Sequence, residues 1–109
     1  MQSRLTVCIV LFVVAFSLSA FAQPKGDAAK GKQVFSRCSV CHGDGGEGRE
    51  AIGKAYGVIM KPLGSKEVQA MNDAALKKAV VEGTGKMKPV KLSDQEIADV
   101  IAFVRTLKK

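Results

Sequence analysis

Tryptophan is absent from this chain of 109 residues, and tyrosine and histidine each occur once. Beyond residue 22 the aromatic rings are Phe35, Tyr56 and Phe103, too thin a set to stack successive bases of a single strand. Cysteine is almost as scarce, with Cys8, Cys38 and Cys41 the whole inventory, so neither a disulfide framework nor a structural zinc site with two ligand pairs can be assembled. The formal charge of +7 allows nucleic acid, an anionic membrane or an acidic protein as partner. No basic cluster of five or more exists, however, and the lysines lie singly or in pairs. Nucleic acid is therefore the weakest of the three partners.

What little metal-binding chemistry the chain owns is concentrated in Cys38-Ser39-Val40-Cys41-His42. Two thiols three positions apart can add across the two vinyl groups of one haem, and a histidine directly after them can give the iron its proximal nitrogen. Other uses of these residues fare worse. A thioredoxin-like dithiol belongs at a strand end opening a helix, whereas the flanks here are a helical stretch and a glycine-rich loop. A disulfide between Cys38 and Cys41 would close a very small loop and leave His42 unexplained. The expected cofactor is one covalently attached haem c, with Cys38 and Cys41 as attachment points and His42 as an iron ligand.

Residues 1–22 read as an export signal: Arg4, an apolar run from Leu5 to Leu18, and Ser19-Ala20-Phe21-Ala22 as a small-x-small cleavage site. An uncleaved anchor is the other reading, but Leu5 to Ala22 is short of the roughly 20 apolar residues that a spanning helix needs. Cleavage after Ala22 leaves 87 residues, 23–109, as one domain that carries +6 once Arg4 is gone. The expected product is a periplasmic monomer with no stable membrane insertion. So short a chain has a marginal core, and a covalently held porphyrin would supply the apolar body it lacks.

Three helices are predicted. From Asp27 to about Arg37, the residues Ala28, Gly31, Val34 and Phe35 recur at helical steps behind an Asp27 cap. Asn72 to Glu82 carries Leu76, Ala79 and Val80 as its apolar stripe, with Asn72 or Asp73 as cap and Gly83 as stop. The last helix opens on Ser93-Asp94-Gln95-Glu96, a capping box with a Leu92/Ile97 staple, and lines up Ile97, Val100, Ile101, Val104 and Leu107. Between them, His42 to Gly48 is a glycine-rich turn without the Gly-Lys-Ser/Thr ending of a phosphate loop, and Gly53 to Lys66 reads as loop. Met60, Met71 and Met87 compete for the sixth iron position; Met60 and Met87 share the triplet Met-Lys-Pro, and Met71 sits where a packing staple precedes a helix cap. Met60 is only 18 residues past His42, a short path to the opposite haem face, and Met87 is 45 residues on.

With the haem motif, Gly31 and Phe35 in the first helix, the Gly85-Lys86-Met87 loop and the closing helix, the chain resembles the small exported monohaem cytochromes c of class I over residues 26 to 108. The resemblance implies an all-α cytochrome c fold, three to four helices wrapped around the haem, with Gly31 and Phe35 crossing Phe103, Val104 or Leu107. It also places the distal ligand at Met87. A His42/Met87 haem would carry single electrons with no catalytic residue, exchanging them with redox proteins. Lys86, Lys88 and Lys91 beside Met87 suggest that those partners dock through an acidic surface. The alternative is a labile sixth ligand and an iron that binds or reduces a small molecule, for which a second histidine is missing.

Overall fold

The computed structural model describes residues 24–109; the export signal read in residues 1–22 lies outside them. Among the described residues six α-helices follow one another: α1 (Ala28–Val34), α2 (Ser39–His42), α3 (Glu50–Tyr56), α4 (Lys66–Gln69), α5 (Asp73–Glu82) and α6 (Asp94–Thr106). A 3-10 turn, Phe35–Arg37, joins α1 to α2. Among the described residues the β-type pairing is limited to a bridge between Thr84 and Met87, and no helix is long and apolar enough to cross a membrane.

The three expected helices start where their caps predicted. Asp27 accepts from the amides of Ala29 and Lys30 at 2.9 and 3.1 Å, and Asn72 accepts from Ala75 at 2.8 Å. At α6 both halves of the capping box close, Ser93 Oγ accepting from the Glu96 amide at 3.1 Å and the Glu96 carboxylate from the Ser93 amide at 2.8 Å. The first helix is shorter than expected, because the chain tightens into the 3-10 turn at Phe35 and so reaches Cys38 with only Ser36 and Arg37 between. Two helices fall where the sequence reads as loop. α3 runs through Gly53, whose low helix propensity hides it, and ends on left-handed Gly57. α4 is a single turn capped by Ser65.

The core sits where α1 crosses α6. Phe35, Val100 and Phe103 form its buried centre, with Val34, Leu63, Leu92, Val104 and Leu107 packed around them. The rings of Phe35 and Phe103 lie 5.0 Å apart, tilted by 55°, a favourable aromatic pairing. Gly31 makes the crossing close: a Cβ there would run into the Asp99 carbonyl and come within 3.0 Å of the Phe103 Cβ.

Polar ties hold the rest of the chain to α6. Arg105 donates to the carbonyls of Gln69 and Met71 and to the Asp73 carboxylate, while Gln69 reaches the carbonyls of Leu63 and Val104 at 2.8 and 3.0 Å. At the other end buried Asp99 accepts from the Asp27 amide and from Gln95, both at 2.8 Å. The Asp27 amide, Gln95 and, more weakly, the nearby Lys30 hold the Asp99 carboxyl below the ordinary carboxylate range, against the opposing pull of burial. A depressed carboxyl binds its proton more readily in the unfolded chain, so its contribution to stability is complete above the unfolded value of about 3.9 and fades as pH falls through the folded one. Asp99→Asn should therefore destabilise the holoprotein at pH 7, and the gap to wild type should narrow below pH ~4. Urea melts at the two pH values check this; a gap independent of pH would show that the charge contributes nothing.

Candidate functional site

Cys38 to His42 form one helical turn. The Cys38 carbonyl accepts from Cys41 at 3.2 Å and from His42 at 2.9 Å, so the two cysteines lie one turn apart on the same side of α2. Both thiols are free and half-buried. Burial pushes the Cys38 thiol up, an effect that the Arg37 charge offsets in part and the neighbouring Cys41 reinforces. Burial also pushes His42 below its usual value, which favours the neutral imidazole that a metal needs. Its Nδ1 is buried and meets no hydrogen-bond partner among the described residues.

The glycine-rich turn folds straight back onto this helix. Gly43, Gly46 and Gly48 have φ of 80°, 69° and 81°, the left-handed region that side chains with a Cβ avoid. Gly48 donates to the His42 carbonyl at 2.6 Å and Arg49 to that of Cys41 at 2.9 Å. Within the turn the Glu47 carboxylate accepts from Gly45 at 2.9 Å, and the Arg49 side chain reaches the Ser39 carbonyl at 2.8 Å.

The three methionines are sorted by what they touch. Met60 packs on that returning segment: a Cβ on Gly48 would lie 2.7 Å from the Met60 Cβ, and one on Gly53 would lie 3.1 Å from its Cγ. It borders a hollow of about 430 Å³ with Gly48, Gly53, Val58 and Ile59, on the stretch bonded to the His42 carbonyl. Met71 is 38% exposed, and its carbonyl holds Arg105. Met87 closes a tight turn with Thr84, the two exchanging backbone bonds of 3.0 and 2.9 Å, and Val90 ties the loop back to the Val80 carbonyl at 2.8 Å. This turn borders a second hollow, of about 540 Å³, together with Tyr56, Lys86 and Pro89.

Among the described residues no group of three or more His, Cys, Asp or Glu side chains converges as a bare metal ion would require. One imidazole and one thioether can complete an iron's coordination only if the other donors arrive with it. A porphyrin brings four nitrogens, and the two cysteines spaced along one helical turn suit its two vinyl groups. The family model for cytochrome c matches residues 28–108. The chain belongs to the cytochrome c family.

Cytochrome c2 of Rhodomicrobium vannielii is 35% identical to it, over 96% of this chain and 97% of the relative. Cytochrome c2 of Blastochloris viridis is 29% identical, over 87% of both chains. A thiosulfate dehydrogenase of Stutzerimonas stutzeri is 35% identical over 77% of this chain, a stretch covering 29% of that protein. Among solved structures, the c-type cytochrome KustC0563 superposes with a TM-score of 0.62 at 27% identity, covering 72% of this chain and 98% of its own. This cytochrome c accordingly has covalently bound haem c with its iron, and Cys38 and Cys41 fit the attachment. It is a protein of electron transport.

Two residues of the cytochrome's site escaped the sequence reading. Arg49 follows a glycine run and carries no motif, so its reach back to Ser39 has no signal in the chain. Tyr56 ends an unpredicted helix, and its place beside the Met87 turn follows only from the fold.

Proposed function

We propose that this cytochrome c is an exported periplasmic carrier that moves one electron at a time, its haem joined to Cys38 and Cys41 and its iron held by His42 and Met87. The observation that carries the reading is the separation of the methionines. Met60 is packed on the segment hydrogen-bonded to the His42 carbonyl, whereas Met87 is closed into an independent turn between α5 and α6. The haem supplies a reversible Fe(II)/Fe(III) couple. His42 contributes a neutral nitrogen, and Met87 a soft thioether that favours Fe(II) and raises the potential. With both in place no open position faces a substrate, and His42, the sole histidine, leaves none to serve a distal pocket. Likeness to part of a thiosulfate dehydrogenase fits a shared haem domain, since it spans under a third of that protein.

Residues 1–22 act as the export signal and residues 23–109 as the working monomer in this reading. The identity of the attachment is tested by haem staining on a denaturing gel of the matured protein, which should stain. Haem lost to acid acetone would refute thioether bonding at Cys38 and Cys41.

Lys86, Lys88 and Lys91 are exposed, and among the described residues none of them meets a carboxylate at ion-pair distance. Their unscreened charge flanks the Met87 turn, where it can steer an acidic redox partner. Such steering weakens as the Debye length shrinks to about 8 Å near physiological ionic strength. The second-order rate with an acidic partner should thus fall steeply with salt, and Lys86→Glu with Lys88→Glu should flatten that slope and leave the potential nearly unchanged. Stopped-flow rates decide it; an equal loss from reversing Lys108 and Lys109 would assign the effect to net charge alone.

A further inference from the structure

We infer that Arg105 is a positioning residue for the sixth iron ligand: by clamping the junction between α4 and α5 onto the end of α6, it fixes the base of the loop that carries Met87 and so limits how often the thioether leaves the iron. The inference rests on Met87 as that ligand.

Arg105 stands in the last turn of α6, and its guanidinium meets three acceptors, all on the α4–α5 junction. Nη1 donates to the Gln69 carbonyl at 3.0 Å and Nη2 to the Met71 carbonyl at 2.6 Å. Nη2 and Nε both donate to Asp73 Oδ1, at 2.7 and 3.2 Å. An ion pair with exposed Asp73 alone would do little. The two carbonyls change that. They close a helix of four residues whose last carbonyls have no donor within it, and a planar guanidinium holds them and a carboxylate at once in fixed directions, as a compact ammonium does not. Gln69 ties the same junction from its own side, its Nε2 reaching the Val104 carbonyl at 3.0 Å.

From this junction to Met87 the chain is continuous and stiff. Asp73 is the first of the ten residues of α5. Towards the far end of that helix the Val80 carbonyl accepts from Val90 at 2.8 Å, and Gly83 lies so close under the Met87 turn that a Cβ there would stand 2.5 Å from the Met87 carbonyl oxygen. The loop therefore moves with α5. Its other end enters α6 at the Ser93 cap, so the place of Met87 follows from how α5 lies against α6. Among the described residues two side-chain ties join these helices: Arg105 at the start of α5, and Lys77 with Asp94 at 3.1 Å, an exposed ion pair without a second acceptor. Arg105 is the stronger of the two.

The test uses the matured, oxidised holoprotein. Saturating cyanide captures the iron whenever Met87 leaves it, so the limiting rate, followed by loss of the far-red sulfur-to-iron band, is the rate of detachment. Amide hydrogen exchange at Met87 and Val90 reads the loop itself. Arg105→Gln should raise both rates by about tenfold or more, as a local opening does, with the band still present before cyanide is added. Arg105→Lys, which keeps the charge near Asp73 without spanning both carbonyls, should fall between Arg105→Gln and wild type. Asp99→Asn weakens the face of α6 that receives Asp27, and should lower stability while leaving the limiting rate at its wild-type value. A wild-type rate in Arg105→Gln or in Arg105→Lys, or an equal acceleration in Asp99→Asn, would overturn the positioning role with Met87 still the ligand, since the band remains. Faster exchange in Arg105→Gln with an unchanged cyanide rate would overturn it too, by showing that the loop moves without the iron. A wild-type spectrum that lacks the far-red band would instead refute the ligand assignment before any variant is made, and the inference with it.

Discussion

Met87→Ala will open the iron of this cytochrome and Met60→Ala will not. In the Met87 variant the far-red sulfur-to-iron charge-transfer band should vanish from the oxidised spectrum, carbon monoxide should bind the reduced form and cyanide the oxidised one. The potential should drop by on the order of 0.1 to 0.3 V, a fraction of the roughly 0.8 V that axial ligation spans. The Thr84–Met87 turn keeps its backbone bonds without the thioether, so the loss should be confined to the iron. Met60 has a different task, as a half-buried side chain wedged between Gly48 and Gly53. Its truncation leaves a cavity and costs stability, roughly 2 kcal/mol at the low end of buried methionine truncations because the site is only partly enclosed. Spectra with added cyanide, taken beside urea melts, separate the two effects. Loss of the band in Met60→Ala would reverse the ligand assignment and the reading of the Met87 loop with it.

That contrast between two Met-Lys-Pro triplets marks where the sequence stopped being informative. Spacing and loop length favour Met87, and the proposal gains support from the packing of Met60 on Gly48, where the chain returns to the His42 carbonyl through three left-handed glycines that no periodicity announces. The terminal helices were legible because their signals are local. Asp27, Asn72 and the Ser93/Glu96 box state their caps within four residues, and the apolar stripe of α6 needs only the 3.6 period. The Gly31–Phe103 crossing was legible through resemblance, and the 5.0 Å ring contact agrees. Asp99 was not, since an acidic residue one step off an apolar stripe reads as solvent-facing until the Asp27 amide and Gln95 are found around it. α3 was hidden by Gly53, which lowers helix propensity while admitting the close approach of the Val58 carbonyl and Met60. Arg49 and Arg105 act over ten and more than thirty residues, on backbone carbonyls whose positions no residue type advertises.

Without haem the chain should be largely unfolded. Among the described residues no large side chain is less than 2% exposed, and the buried apolar set is Phe35, Ile97, Val100, Ile101 and Phe103, four of the five on α6 itself. Their packing joins α1 to α6, and no comparable cluster secures α3, α4 or α5. Elsewhere the protein leaves apolar side chains uncovered, with Ile59 91%, Val40 65% and Tyr56 53% exposed. Helices of four to ten residues do not persist on propensity alone, so α2 to α5 depend on an apolar body to pack against. The polar ties through Arg105 and Gln69 cannot replace it: hydrogen bonds contribute about 1 kcal/mol each after exchange with water, against an ordering cost of about 1 to 2 kcal/mol for every residue's backbone. A Cys38→Ala/Cys41→Ala variant produced without haem should therefore show little helix by far-ultraviolet circular dichroism, with what remains drawn from α1 and α6, and no cooperative melt. Helicity close to that of the holoprotein together with a sharp thermal transition would mean that the Phe35–Val100–Phe103 cluster folds the chain unaided, and that the haem is a guest in a finished core.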